Sequence, residues 1–359
     1  MRNAPLAAGL GVALCLAASG FGATALYVPG AGILLIVAVA TTWVLTSVRG
    51  VRVERTVARA AVEEAAALPL AVRVTHSRMP LPGAEVRAWA GGRAMTVAGF
   101  GEMTVTDTAR FPRRGRHRLG PASVMVGDPL GLCRRPVQSS EDEVLVLPRV
   151  EPVRFVDVDG EPAILGRVGA STAEPDATEV DSLRPLRPGT PASRIHWPTV
   201  ARTMTLMERR LVADGDRRPL VVVDPRTPAS SDALDQAMRA AASLCVHLAR
   251  IGGCGLLMAG DRRPTPIDPE LHGFAELHAR LAVLEPEHGA PPLGPLAGAE
   301  AVLWVTAASR GSGAIAQLRS RVRYLVSPYP QSSWPVQFMV AGCSGQRLER
   351  TAARKMVAA

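Results

Sequence analysis

The first fifty residues contain two long uncharged runs, residues 6–27 and 31–48, which are separated by Val28-Pro29-Gly30. Each run is close to the length that a helix needs to cross a hydrocarbon core of about 30 Å. Proline cannot continue a helix, so the Pro-Gly pair predicts a tight turn between the runs. The pattern therefore predicts a transmembrane helical hairpin in residues 1–50.

Basic residues flank this hairpin, whereas its predicted turn carries no charge. The flanking arginines are Arg2, Arg49, Arg52 and Arg55. The positive-inside rule then predicts two spans in the cell membrane, with the soluble part on the cytoplasmic face. A competing interpretation treats residues 1–25 as a cleaved signal peptide, because Ala23-Thr24-Ala25 has the small-x-small form of a cleavage site.

Residues 51–150 show short apolar runs separated by turn residues. Residues 70–76 alternate between apolar and polar positions as a half-buried strand does, and residues 144–147 form an apolar run that Pro148 ends. Several short strands without intervening helices are typical of a small β-sandwich. A polar, acidic tract follows, and it predicts a linker at residues 151–180.

Residues 181–359 alternate between strand and helix patterns after a signature loop. Residues 219–223 form a continuous apolar run, typical of a strand buried on both faces. The next helix, capped by Ser231 or Asp232, carries apolar residues at helical spacing and ends at Gly252-Gly253. Later strands are predicted at 255–258, 301–305, 324–326 and 336–340, with helices at 271–284, 315–319 and 346–356. This alternation predicts an α/β domain with a doubly wound, mostly parallel sheet.

Residues 183–202 (LRPLRPGTPASRIHWPTVAR) concentrate arginine and proline. The prolines fix φ and remove backbone donors, which favours an ordered loop over a helix. An arginine-rich loop with one tryptophan is suited to binding a carboxylate, a phosphate or another protein. The alternative is a surface connection whose arginines pair with nearby acids. The candidate protein-binding residues are Arg184, Arg187, Pro188, Gly189, Arg194, Trp197 and Arg202.

This stretch resembles the signature of the bacterial membrane-anchored domain-of-unknown-function family 58, which carries a von Willebrand factor A-like domain. The matching positions are Leu183, Arg184, Pro188, Gly189, Arg194, Ile195, His196, Trp197, Ala201 and Arg202. Residues 111–115, 118–121 and 127–132 resemble further motifs of that family. The chain departs from the pattern at Leu186, where the family has Tyr, and at Thr190, where it has Asp.

The resemblance implies a protein that works beside a MoxR-type AAA+ ATPase, often with a transglutaminase-like membrane protein. It thus implies a membrane-anchored, non-enzymatic scaffold or adaptor for such an ATPase. The candidate binding residues of the signature loop would then contact that partner.

Asp224 follows the first strand of the α/β domain directly. In von Willebrand A domains this position begins an Asp-x-Ser-x-Ser motif that holds Mg²⁺, which needs several oxygen ligands. Here Arg226 and Pro228 stand at the two serine positions, and Thr227 is shifted by one. We therefore expect a degenerate site without metal or cofactor, in which Asp224 pairs with Arg226 or caps a turn. The alternative function is a Mg²⁺-dependent adhesion or receptor module of the cell envelope.

Composition narrows the remaining function classes. The net charge is +9, but aromatic residues make up only 4% of the chain and no basic-aromatic stripe occurs, which argues against nucleic-acid binding. The positive charge instead favours an anionic lipid bilayer as the binding partner. The five cysteines show no CxxC spacing, so neither a disulfide framework nor a zinc cluster is predicted. The sequence has no P-loop, dinucleotide fingerprint or HExxH, so we predict no enzyme. A third hypothesis, an enzyme acting on cell-envelope substrates, rests on the isolated His196 and the membrane setting.

Overall fold

The chain forms two compact units, Met1–Leu147 and Pro148–Ala359. The computed structural model describes residues 3–156, 182–185, 197–210, 218–296, 299, 301–309, 315, 320 and 322–348. The fold is mixed α/β, with an apolar helix pair at the amino terminus and several sheets.

The first unit begins with helices α1 (Ala4–Phe21) and α2 (Tyr27–Gly50), both long and apolar enough to span a membrane. The predicted turn at residues 28–30 is wrong. The chain reverses at Gly22, whose φ is 66°, and in the 3₁₀ turn Thr24–Leu26. Pro29 instead lies in the first turn of α2, where its missing N–H breaks no helical hydrogen bond.

Gly30 is used for helix packing rather than for a turn. A Cβ atom added to Gly30 would lie 2.7 Å from Cys15 Sγ and 3.1 Å from Gly11 O. A Cβ on Gly11 would lie 2.9 Å from Leu34 Cγ. Small residues that allow helix backbones to approach are typical of helix contacts in membranes, where apolar burial gives no driving force.

The rest of this unit is made of eight strands. They are β1 (Val51–Val57), β2 (Ala61–Glu63), β3 (Leu68–Arg87), β4 (Met95–Ala109), β5 (Gly115–Leu119), β6 (Ser123–Gly127), β7 (Arg134–Gln138) and β8 (Asp142–Leu147). A five-stranded sheet has the order β1-β3-β6-β7 with β4 on β3, and a three-stranded sheet has the order β2-β8-β5. Residues of both sheets, such as Val72 and Val146, share one apolar core, which is the arrangement predicted for this region.

Arg55 is an internal charge of this unit. Its side chain is fully buried, and Nε donates to Asp142 Oδ2 at 2.7 Å while Nη1 donates to Gly120 O at 2.6 Å. Arg55 therefore does not add an exposed charge to the basic flank of the helix pair. In this respect the structure differs from the sequence-based prediction. Arg52 on the same strand and Arg49 at the end of α2 are both exposed.

The second unit begins with β9 (Arg154–Phe155), which lies in the predicted linker region and pairs with a later strand of the large sheet. The remainder of that linker lies outside the described residues, apart from residues 151–153 and 156. Next come β10 (Ser182–Pro185), helix α3 (Trp197–Thr203) and β11 (Met207–Arg210), and β10 and β11 pair antiparallel.

Among the described residues, the large sheet contains eight strands. Besides β9 they are β12 (Leu220–Asp224), β13 (Cys254–Leu257), β14 (Thr265–Ile267), β15 (Ala301–Thr306), β16 (Val322–Ser327), β17 (Val336–Val340) and β18 (Cys343–Arg347). Their order is β14-β13-β12-β15-β16-β18-β17-β9. The central strands β13, β12, β15 and β16 are parallel, whereas the pairs outside them are antiparallel. The prediction of a mostly parallel sheet is therefore wrong, and the sheet is mixed.

The sheet is covered on both faces, as the apolar run at 219–223 predicted. Val221 and Val223 pack with helices α4 (Ser231–Gly252) and α5 (Phe274–Ala282), whereas Val222 packs with Trp304 in a separate core. The apolar stripe of α4 is buried apart from the half-buried Ile251, and Ser230 caps the helix rather than Ser231 or Asp232. The helix predicted at 346–356 is wrong at its start, because residues 346 and 347 belong to β18.

Candidate functional site

The carboxyl ends of β12 and β15 meet at the middle of the large sheet. From β12 the chain proceeds to β13 on one side, whereas β15 and β16 lie on the other side. Asp224 and Thr306 end these two strands and are register partners. In open α/β sheets, ligands bind at such a reversal of strand order. Asp224 therefore stands where a ligand-binding residue is expected.

Asp224 is held by Arg226. Arg226 Nε donates to Asp224 Oδ1 and Nη2 donates to Oδ2, both at 2.9 Å, which makes the pair bidentate. The backbone N–H of Arg226 adds a longer contact of 3.3 Å to Oδ1. The Asp224 side chain is 4% exposed and that of Arg226 is 42% exposed. The hydrogen bonds to Asp224 raise the pKa of the Arg226 guanidinium.

This pair places a guanidinium against the carboxylate that a Mg²⁺ ion would need. Both Asp224 oxygens are engaged by Arg226, and arginine and proline supply no ligand for a hard cation. Thr227 is exposed, with a left-handed φ of 46°. Thr306 Oγ1 accepts a hydrogen bond from Ala308 N at 3.2 Å. These residues do not fit a Mg²⁺ site unless Arg226 moves away.

The structure describes part of the signature segment, residues 183–202. Arg184 lies in β10, where its register partner in β11 is Glu208. β10 stands at the start of the segment, α3 begins near its end, and β11, which pairs with β10, follows it. Trp197 is 58% exposed, and Arg202 is also exposed. Arg187, Pro188, Gly189 and Arg194 lie outside the described residues.

Helix α3 differs from the loop predicted for this stretch. Pro198 occupies the second position of the helix, where a missing N–H costs no helical hydrogen bond. Two apolar residues that follow α3 were not singled out from the sequence: Met204 is 89% exposed and Leu206 is 47% exposed. The run Met204-Thr-Leu-Met207 was the available signal. We call Trp197, Arg202, Met204 and Leu206 the α3 surface.

Asp268, Glu270 and His272 form a group whose ligand atoms lie within 4.8 Å of one another. His272 Nδ1 lies 2.7 Å from Asp268 Oδ2, and His272 N donates to Asp268 Oδ1 at 2.8 Å. This hydrogen bonding raises the pKa of His272 and lowers that of Asp268. These contacts explain Asp268 and His272 as a solvent-accessible pair that stabilises a turn.

Two buried thiols of the second unit, Cys245 and Cys343, resist ionisation. The hydrogen bond with Cys254 raises the pKa of Cys245, and burial adds to this effect. Burial raises the pKa of Cys343 to about 12. Thiolates are the reactive form of cysteine, so these side chains act as packing residues.

Comparison with known proteins adds no functional information. No family model and no curated protein matches the chain. Among solved structures, the chain is similar to the PKD domain of an M14-like peptidase from Thermoplasmatales archaeon SCGC AB-540-F20. The identity is 13%, the TM-score is 0.18, and the match covers 26% of this chain and 91% of that chain. A TM-score this low does not indicate a shared fold.

Proposed function

We propose that this protein is a membrane-anchored, non-enzymatic scaffold or adaptor that binds a protein partner through the α3 surface. The observation that carries the proposal is the exposure of Trp197 and Met204, at 58% and 89%, next to an exposed arginine. Large apolar and aromatic side chains with arginine are the residue types that dominate binding energy in protein interfaces. The helix pair, long and apolar enough to span a membrane, would be the anchor.

The proposed partner is a MoxR-type AAA+ ATPase, together with a transglutaminase-like membrane protein. This identification rests on the resemblance of the signature segment, which also suggests that the second unit is a von Willebrand A-like domain. The Asp224–Arg226 pair supports a scaffold over an enzyme or a metal-dependent receptor, because the expected ligand position is occupied by the chain's own guanidinium.

Capture of the ATPase by the full chain in detergent tests the proposal. We expect Trp197→Ala to weaken capture at least about tenfold, as loss of a central tryptophan does in interfaces. The double variant Arg187→Ala/Arg194→Ala should also weaken it. Tyr329→Ala is the matched control, because Tyr329 is an aromatic residue of the same unit with 38% exposure. If the Trp197 variant and the control captured equally well, the α3 surface would not be the binding site.

The proposed location on the cytoplasmic face is tested by a reporter that matures only in the cytoplasm, fused after Ala359. A signal supports the adaptor function. A silent reporter on a protein that is present at normal levels would place the second unit outside and exclude a cytoplasmic ATPase as its partner.

The alternative, a Mg²⁺-dependent adhesion module, is favoured by the buried carboxylate of Asp224 beside Thr306 at the strand ends. It requires Arg226 to release both carboxylate oxygens. In that case Mg²⁺ would raise the melting temperature of the parent protein, and Asp224→Ala would abolish the rise. We expect Mg²⁺ to have no such effect on the parent.

A further inference from the structure

The loop between β6 and β7, residues 128–133, lies beside the helix pair within the first unit. Ala4 N donates to Leu132 O at 3.2 Å, and Thr41 Oγ1 lies 3.5 Å from Cys133 Sγ. Ala4 and Cys133 also belong to a small buried apolar cluster with residues of α2. These contacts fix the loop at the level where α1 begins.

Helix lengths place that level relative to a bilayer. α1 has 18 residues, about 27 Å at the usual rise per residue, which is close to a hydrocarbon core of about 30 Å. α2 has 24 residues and is therefore about 9 Å longer. Both helices meet at the turn of residues 22–26, so the first residue of α1 marks the opposite hydrocarbon boundary when the pair spans a membrane. The β6–β7 loop would lie at that boundary.

The loop satisfies its own backbone donors. Leu130 N donates to Asp128 Oδ2 at 2.9 Å, and Cys133 N donates to Asp128 Oδ1. Gly131 N donates to Asp128 O at 3.1 Å, and Asp128 N donates to Cys133 O at 3.2 Å. Unsatisfied backbone groups are costly in apolar surroundings. A loop with this internal bonding is suited to contact with lipid.

The Asp128 carboxylate faces the loop interior rather than its surroundings. Burial opposes its ionisation, but hydrogen bonds from the backbone of Cys133, Leu132 and Leu130 outweigh burial and lower the pKa of Asp128. The residue is 7% exposed. Its negative charge is therefore held by backbone N–H groups inside the loop.

The outward side of the loop is apolar and its continuation is basic. Leu130 is 65% exposed, and the exposed Arg134 and Arg135 follow the loop in β7. Arg134 Nη1 lies 3.9 Å from Glu85 Oε1. The Arg134 side chain is 59% exposed, so it remains in contact with solvent. Arginines at headgroup level are attracted to anionic lipids.

We propose that the β6–β7 loop is a second membrane-contact element, which inserts Leu130 into the interface of an anionic bilayer beside the helix pair and places Arg134 and Arg135 among the headgroups. The loop continues the apolar surface of the helices, on which Leu6 and Val39 are 74% and 58% exposed. The proposal rests on the proposed membrane anchor. The contact of the loop with the bilayer holds the first unit in a fixed orientation on the membrane.

Spin-label accessibility tests the proposal on the full chain reconstituted in vesicles of phosphatidylcholine and phosphatidylglycerol. A nitroxide is attached to Leu130→Cys, to Val39→Cys in α2, or to Ser140→Cys. Ser140 is exposed and lies beyond the opposite end of the β6–β7 ladder. Cys15→Ala removes the half-buried native thiol, and the chain without an introduced cysteine gives the background from the buried ones.

We expect oxygen to reach the label at position 130 severalfold more readily than a water-soluble nickel chelate, as at position 39, whereas the chelate should reach position 140. Arg134→Gln/Arg135→Gln should raise chelate access at position 130. If position 39 were protected while positions 130 and 140 were equally open to the chelate, the loop proposal would be refuted and the anchor retained. Chelate access at position 39 would refute the anchor itself, and the loop proposal with it.

Discussion

The Asp224–Arg226 pair gives a quantitative prediction for the stability of the second unit. Arg226→Ala leaves a carboxylate that is 4% exposed with a single backbone N–H contact. Breaking a fully buried pair costs about 3–5 kcal/mol, whereas an exposed pair contributes less than about 1 kcal/mol. Because the Arg226 side chain is 42% exposed, we expect a loss of about 2 kcal/mol. For a unit of about 200 residues, this lowers the melting temperature by about 4–8 °C.

The assay is thermal unfolding of the full chain in mild detergent, followed by intrinsic tryptophan fluorescence, to which the buried Trp304 of the second unit contributes. Adding Asp224→Asn to the Arg226→Ala variant should recover much of the loss, because it removes the unpaired charge. Arg262→Ala is the matched control, since Arg262 is an exposed arginine of the same unit. A melting temperature that is unchanged in Arg226→Ala, or a double variant no more stable than Arg226→Ala, would refute this account of the pair.

Three further substitutions test packing and burial elsewhere. Gly11→Ala should weaken the helix pair by about 1–3 kcal/mol through overpacking, measured by thermal aggregation in detergent; Gly9→Ala is the control, because a Cβ there meets nothing within 4 Å. Gly345→Ala should lower stability by about 1–3 kcal/mol in urea, since its Cβ would lie 2.1 Å from Phe338 Cζ. Burial raises the pKa of Cys343 from 9.0 to about 12, so the folded state favours the protonated thiol. The free energy of unfolding should therefore fall as the pH rises from 9.0 toward about 12. In the Cys343→Ala variant it should fall less.

The helix pair and the central strands of the large sheet were predictable because their signals are local in the sequence. Long uncharged runs indicate apolar helices, and the continuous run at 219–223 indicates a strand covered on both faces. The turn of the helix pair was not located, because proline is compatible with the first turn of a helix as well as with a loop. Gly30 serves helix packing instead, which depends on the neighbouring helix.

The antiparallel part of the large sheet was missed for a related reason. β17 and β18 are joined by Ala341-Gly342, both with positive φ, at 48° and 79°. Two-residue hairpin turns of this kind favour Asn-Gly or Asp-Gly, so Ala-Gly is a weak signal. Without a hairpin signal, the sequence pattern predicts a helix at residues 346 and 347. Phe338 covers Gly345 across the two strands, a contact that the sequence does not reveal.

The two candidate sites differ in how far local chemistry determines them. Asp224 and Arg226 are two residues apart at the end of one strand, so their pairing follows from short-range geometry and was among the expected states. The α3 surface depends on which other segments cover it, and no spacing rule predicts that Met204 is 89% exposed. Exposed large apolar residues that cluster with a tryptophan and an arginine are costly for a protein that binds nothing there. The proposed partner would bury them, which is why the capture experiment on Trp197 tests the proposed function more directly than any experiment on Asp224.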